Sequence, residues 1–287
     1  MGRVTARRRV TRITIGAAGE GAGVSRREDV LAVEEPLELR VAGEPFSVTM
    51  RTPGHDFELA AGFLVGEGVV AHSGQLGALR YCAGVDEHGE NTYNVLDVVL
   101  GPGVAPPGDA LRRNVYTSSS CGLCGKASIE AVRTRSHHAV RGDDLRVTAD
   151  WLVTLPATLR AGQRGFDQTG GLHAAALFDA ATGELLVLRE DVGRHNAVDK
   201  VVGWALTADR LPLSGTVLML SGRAGFELVQ KASMAGIACV AAVSAPSSLA
   251  VELAAEVGMT LVGFVRDPSL VVYAGAERVL TGAQVRA

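Results

Sequence analysis

Two thiols two residues apart, in Cys121-Gly-Leu-Cys124, are the side chains of this 287-residue sequence best suited to chemistry. Thiols that close can share or resolve one another's oxidised state. Ser118, Ser119 and Ser120 precede them as candidate caps, and a helix is expected from there through Arg135. A thiol at a helix start meets the partial positive charge of the N-terminus, and Lys126 adds a cation. Both favour thiolate, the nucleophilic form. Gly122 and Gly125 let a partner approach the sulfur closely. The expected chemistry is a reactive sulfur carried on Cys121 beside Cys124.

Other uses of such a pair fit less well. A zinc site needs two more ligands; His137 lies at finger-like spacing, but only the adjacent His138 accompanies it. A thioredoxin-like exchanger would place the pair after a strand at the start of a βαβ unit, whereas here a β-rich half precedes it. A zinc deaminase would show H-x-E followed by P-C-x-x-C. His88-Gly-Glu90 supplies the first part, yet Ser120 replaces the proline and Asp86 to Asn91 reads as a hairpin turn. A deaminase-type hydrolase remains the alternative reading. Cys82 and Cys239 stand alone in strand-like apolar surroundings and are expected to be buried and inert.

A second group of polar residues gathers at expected strand ends. Asp191, Arg194, His195 and Asn196 crowd one turn from strand to helix, where α/β sheets place their ligands. Ser221-Gly222-Arg223 repeats the design: glycines let backbone N–H groups converge, a helix N-terminus follows, and Arg223 can grip phosphate bidentately. Phe264-Val265-Arg266-Asp267-Pro268-Ser269 supplies another arginine, and Ser244-Ala-Pro-Ser-Ser supplies hydroxyls. In a parallel sheet these turns lie side by side. The expectation is one cleft in which Arg194, Arg223 and Arg266 converge on an anion. The motif around Arg51-Thr-Pro-Gly-His55-Asp56 opens an otherwise apolar helix, with His55 or Asp56 as its cap.

The elements that must position these groups change period along the chain. Residues 1–28 lack periodicity and read as a flexible tail. Residues 29–117 form a β-rich subdomain: Leu37–Val41, Phe46–Met50 and Tyr93–Leu100 are strand-like, with one helix over Asp56–Glu67 carrying Leu59, Phe63 and Leu64 on a shared face. Residues 118–140 hold the cysteine loop and its helix. In 141–287, strands at 172–178, 185–188, 216–220, 237–243 and 259–265 alternate with helices at 196–206, 226–235 and 248–257. That alternation predicts an α/β layer with a mainly parallel sheet. Ala180-Ala-Thr-Gly is a hairpin turn and adds an antiparallel pair.

Composition narrows the classes. A net charge of −3 argues against a nucleic-acid binder, and the longest weakly polar stretch is too short for a membrane helix. The basic N-terminus lacks the apolar run of a signal peptide, and four cysteines in so long a chain fit a reducing cytoplasm.

Four segments together resemble the formate dehydrogenase accessory sulfurtransferase family (FdhD/NarQ). They are Arg51-Thr-Pro-Gly-His-Asp-Phe-Glu-Leu-Ala-Ala-Gly-Phe-Leu-Val-Gly-Glu-Gly, Ser119-Ser-Cys-Gly-Leu-Cys-Gly, Asp191-Val-Gly-Arg-His-Asn-Ala-Val-Asp-Lys and Ser221-Gly-Arg-Ala-Gly-Phe-Glu-Leu-Val-Gln-Lys-Ala. The resemblance implies a cytoplasmic sulfur carrier. A cysteine desulfurase would load a persulfide on Cys121, with Cys124 as helper. The sulfur would pass to the molybdenum of the bis(molybdopterin guanine dinucleotide) cofactor destined for formate dehydrogenase. The strand-end turns, including Phe264 to Ser269, become the cofactor cleft, and Asp191 or Glu227 could accept from guanine. The resemblance further implies a homodimer whose C-terminal part is a three-layer, cytidine deaminase-like domain with a mixed sheet.

Overall fold

The computed structural model describes residues 4–16, 22–82, 84, 92–108 and 136–282. Cys121, Cys124, their expected helix and the His88/Glu90 pair lie outside the described residues.

The chain starts with a ribbon in which β1 (Thr5–Thr14) and β2 (Gly23–Ala32) pair antiparallel along their whole length. This differs from the tail expected over residues 1–28. The ribbon is mostly exposed on both faces, so no apolar alternation marks it as strand. Next comes a four-stranded sheet of β3 (Glu35–Val41), β4 (Glu44–Arg51), β5 (Leu76–Tyr81) and β6 (Val95–Leu100), in the order β4-β3-β6-β5. Helix α1 (Asp56–Gly66) links β4 to β5. Leu59 and Leu64 are buried, and the half-buried Phe63 packs against the same core.

The second half opens with β7 (Val147–Thr148) and three short helices, α2 (Ala149–Leu152), α3 (Leu155–Gly162) and α4 (Arg164–Thr169). Thr148 caps α2 by accepting from the Trp151 amide at 3.2 Å. The remaining elements alternate: β8 (His173–Asp179), β9 (Leu185–Asp191), α5 (Arg194–Thr207), β10 (Thr216–Leu220), α6 (Phe226–Met234), β11 (Cys239–Ala242), α7 (Ser248–Val257), β12 (Thr260–Arg266) and β13 (Ser269–Ala274). A short β14 (Val279–Leu280) pairs with β7.

The six-stranded sheet runs β13-β12-β11-β10-β8-β9. Only β10, β11 and β12 are mutually parallel; β8 enters antiparallel beside β10, and β9 and β13 join as hairpin partners. The sheet is therefore mixed, with a shorter parallel stretch than the periodicity implied. It is covered on both sides. Ala174, Ala176, Phe178, Val217 and Met219 face Leu152, Leu155 and Leu159 of α2 and α3. Ala175, Leu177, Leu218 and Val240 face the other way, into a core shared with α1, α5, α6, α7 and the four-stranded sheet. Among the described residues no helix is long and apolar enough to cross a membrane.

Helices α1 and α5 touch backbone to backbone. A Cβ on Gly62 would stand 1.8 Å from the Asp199 carbonyl oxygen, and one on Gly203 would stand 1.7 Å from that of Glu58. No rotamer relieves a Cβ clash against backbone, so glycine is required at both positions. Gly62→Ala should cost about 3 kcal/mol, the upper range of overpacking. Urea unfolding measures it, and a loss below about 1 kcal/mol would show that the helices separate easily.

Candidate functional site

Because β10, β11 and β12 are parallel and β8 runs against them, one edge of the sheet collects the ends of β9, β10, β11 and β12 and the start of β8. Their loops are stitched together. The Ala224 amide donates to Ala245 O at 3.3 Å, the Ser247 amide to Ala224 O at 3.1 Å, and the Phe264 amide to Ser244 O at 3.3 Å. The Ser221 amide donates to Ala174 O at 3.0 Å, and Ser221 Oγ accepts from the Ala174 amide at 2.8 Å. The expected convergence of these turns on one edge is thus present.

The residues at that edge divide by the direction they face. Asp191 is fully buried. Its Oδ1 accepts from the Gly193 amide at 2.8 Å and Asn196 Nδ2 at 3.0 Å, and its Oδ2 meets Lys200 Nζ at 2.7 Å and the Thr52 amide at 3.2 Å. Every strong acceptor position of the carboxylate is engaged within the protein. Asn196 also points inward, donating to Met50 O at 2.8 Å and accepting from Thr49 Oγ1 at 3.2 Å. These two residues anchor the four-stranded sheet to the start of α5 rather than presenting polar atoms to a ligand.

Arg194 differs. Its Nε is buried and makes no hydrogen bond among the described residues. Arg223 and Arg266 are exposed. An orphaned buried guanidinium N–H next to an exposed arginine loop fits an anionic group such as a pyrophosphate. His195 Nε2 lies 3.2 Å from Glu227 Oε2. Burial, with Lys231, Arg194 and His173 nearby, pushes the His195 imidazole down to about 3. It is neutral at pH 7. Gly222 and Gly225 are not among the positive-φ residues, so neither supplies a left-handed turn.

The last expected segment is a β-hairpin turn between β12 and β13, with Arg266 opposite Ser269. Phe264, Arg266, Asp267, Pro268 and Ser269 are exposed at it. Val265 is buried in the core beneath α2 and α3, which corrects its expected place in the cleft. Phe264 has φ of 48°, a left-handed conformation rare for an aromatic residue.

The Arg51 motif stands behind this edge. Arg51 is buried, grips Asp56 with Nε and Nη2 (3.0–3.2 Å), and reaches Glu35 at 3.1 Å. Tyr81 Oη donates to Asp56 at 3.0 Å. Neither His55 nor Asp56 caps α1 in the expected way: His55, at φ 56°, makes no cap bond, and Asp56 serves Arg51. Glu58 binds Arg189 bidentately at 2.5 and 2.7 Å. Burial raises this carboxyl, but hydrogen bonds from Arg189 and His55 prevail and hold it at about 2. Cys239 is buried, and that burial pushes its thiol up to about 12, as expected of an inert group; Cys82 is only half-buried.

Two residues absent from the sequence reading also meet this edge. His173 starts β8, and burial with Arg194 and Arg223 lowers its pKa. Gln163, at the joint of α3 and α4, is 4 % exposed, with no side-chain hydrogen bond among the described residues. Both line a cleft of about 580 Å³, together with Ser221, Phe166, Leu172 and Val243. No local motif surrounds either residue, so nothing in the sequence marked them.

The FdhD/NarQ family model matches residues 32–280. A Streptomyces coelicolor protein named sulfur carrier protein FdhD is 61% identical over 286 residues, covering 99% of both chains. A protein of the same name from Mycolicibacterium paratuberculosis is 57% identical over 276 residues, 96% of this chain and 99% of that one. The crystal structure of a candidate formate dehydrogenase accessory protein from Desulfotalea psychrophila matches with a TM-score of 0.74. It covers 97% of this chain and all of that one at 22% identity, a likeness of fold alone.

Two outcomes follow from these contacts. Lys200→Met strands the Asp191 charge in the interior and should cost about 3–5 kcal/mol in urea unfolding. An effect near zero would mean that Asp191 reaches water. His195 is neutral when folded down to about pH 3, whereas the unfolded chain takes up its proton near 6.5. Its contribution is therefore complete above pH 6.5 and is lost as pH falls towards 3. His195→Asn should unfold with a shallower fall in urea midpoint between pH 6.5 and 4 than the unchanged chain, and equal slopes would refute the assignment.

Proposed function

This chain belongs to the FdhD/NarQ family, and on that premise we propose that it is a sulfurtransferase that carries persulfide sulfur on the Cys121/Cys124 pair. The observation that carries the reading is its near-complete likeness to proteins named sulfur carriers. The donor is a cysteine desulfurase. Its persulfide gives up the terminal sulfur to the Cys121 thiolate, leaving a desulfurase thiolate and Cys121–S–SH. Attack of the Cys124 thiolate on Cys121 Sγ then expels hydrosulfide, the oxidation level a metal takes up. The resulting Cys121–Cys124 disulfide is reopened by a dithiol reductant.

The acceptor substrate is the molybdenum of bis(molybdopterin guanine dinucleotide), on its way to formate dehydrogenase. Supporting this are the orphaned Arg194 Nε and the exposed Arg223 and Arg266, cations suited to the cofactor's pyrophosphates. The covered six-stranded sheet is read as the cytidine deaminase-like domain, in a cytoplasmic homodimer.

Incubation with a desulfurase and cysteine, followed by intact mass measurement, tests the carrier step. The expected result is the gain of one reducible sulfur, lost in Cys121→Ala. Stoichiometric zinc held by the cysteine pair, with no mass gain, would favour a deaminase-type hydrolase instead.

A further inference from the structure

The β1–β2 ribbon sorts its side chains along its length. At the base, the Val33 amide donates to Val4 O at 3.0 Å. Ala32 lies against the turn after α4, where a Cβ on Gly171 would stand 3.7 Å from the Ala32 Cβ. Successive paired rungs then carry the chain outward by about 30 Å, and the far half is exposed on both faces. Directly opposed residues of an antiparallel ribbon share a face. Arg7, Arg9 and Arg26 therefore stand on one face, and Arg8, Arg12 and Arg27 on the other. Arg7 pairs with Glu28 at 2.9 Å and Arg27 with Asp29 at 3.6 Å. Arg8, Arg9, Arg12 and Arg26 have no ion pair among the described residues. At the far end Ile13 and Val24 oppose one another and Ile15 follows; they are 64, 68 and 87 % exposed.

A ribbon of two strands is only marginally stable by itself in water. Single apolar side chains on a surface need no account, but three together at a projecting end, ahead of a belt of arginines, mark a contact. From that end inward the order is aliphatic, then cationic, then cations mixed with Glu28 and Asp29. A segment dipping into an anionic bilayer meets its environments in the same order: the acyl boundary, the phosphate headgroups, then water. The distribution over two faces separates this partner from others. A flat acidic protein surface would meet one face and leave three arginines of the other unused, whereas headgroups surround an inserted ribbon. A nucleic-acid groove would enclose both faces but offers little to Ile13, Ile15 and Val24.

We propose that the far end of the β1–β2 ribbon docks the protein on an anionic phospholipid bilayer. Ile13, Ile15 and Val24 enter the boundary between headgroups and acyl chains, and the arginines of both faces bind lipid phosphates. Each arginine brought to such a surface raises affinity about five-fold, so the four without ion pairs give a factor of several hundred between anionic and neutral lipid. Docking of this kind lies on the membrane and does not cross it, in keeping with the lack of a spanning helix among the described residues.

Flotation of the full-length chain with lipid vesicles tests the proposal. The chain should float with an equal mixture of phosphatidylglycerol and phosphatidylcholine and stay behind with phosphatidylcholine alone. Raising the salt from about 0.1 M to about 0.5 M should release most of it. Arg12→Gln combined with Arg26→Gln should weaken binding about 25-fold. Ile13→Ser combined with Ile15→Ser, at unchanged charge, should weaken it at least about ten-fold. All four side chains are exposed, so an unchanged urea midpoint shows that both variants are folded. Ile15→Trp reads depth directly: its fluorescence, above that of Trp151 and Trp204, should be quenched by lipids brominated on their acyl chains. The proposal is overturned if the mixed vesicles do not bind the chain or if neutral vesicles bind it equally well. It is also overturned if the serine variant binds undiminished or Ile15→Trp is not quenched, since charge alone would then serve any polyanion. A sedimentation mass halved by the arginine substitutions would assign the ribbon to a second copy of the chain instead. None of these measurements involves sulfur, so they stand or fall separately from persulfide loading at Cys121.

Discussion

The carboxylate of Asp191 organises the described part of the molecule. It is removed from water and satisfied by an ammonium, two backbone amides and a side-chain amide. Those donors come from two regions far apart in sequence, the Thr52 segment and the turn that opens α5. A buried charge tolerates little displacement of its partners, because each lost contact leaves an unpaired group in a poorly polarisable interior. The four-stranded sheet is thereby fixed against the edge of the six-stranded one. The reciprocal bond from the Val192 amide to Thr52 Oγ1 at 3.2 Å closes the joint. Arg194 emerges from that joint, so the position of its guanidinium, whose Nε has no partner among the described residues, depends on a residue that never reaches the surface.

The glycine crossing of α1 and α5 serves the same joint from behind. With the helices at backbone contact, Asp199 on α5 meets Lys231 of α6 at 2.7 Å in a second buried ion pair. Arg189 and Glu58 tie β9 to α1. Polar pairs of this kind contribute less net stability than apolar packing would, but they accept a single register. The result is a stiff support beneath an edge whose outward side chains, Arg194, Arg223, His173 and Gln163, lack such pairing among the described residues. Rigid support with unsatisfied groups in front is the arrangement that binding sites need.

Much of the second half was legible because its strands and helices each bury a distinct pattern. Thr216–Leu220 is buried at every position, as a central strand should be, and Phe226–Met234 and Ser248–Val257 begin at the expected residues. The order of strands was not legible, since no local pattern reveals that β8 enters against β10. The β1–β2 ribbon escaped notice because neither face is buried, and the helices over 149–169 are too short for a clear period. At the site, the arginines announced themselves through charge at strand ends. Asp191 and Asn196 were misjudged for the same reason: polar residues crowded at a turn look alike whether they face a ligand or a neighbouring loop. Gln163 carried no cue, because its meaning lies in a missing partner, and partners are visible only in three dimensions.

The β1–β2 ribbon also makes the molecule electrically lopsided. Its paired strands carry Arg7, Arg8, Arg9, Arg12, Arg26 and Arg27 against only Glu28 and Asp29. The whole chain has a net charge of −3, so the remainder is more acidic than that total suggests. Such a chain behaves as a macroscopic dipole. A negatively charged body draws the ribbon towards itself, and a positively charged one turns it away. At physiological salt that torque is felt only within about 8 Å of contact, so it orients an encounter in its last moments rather than drawing partners from afar.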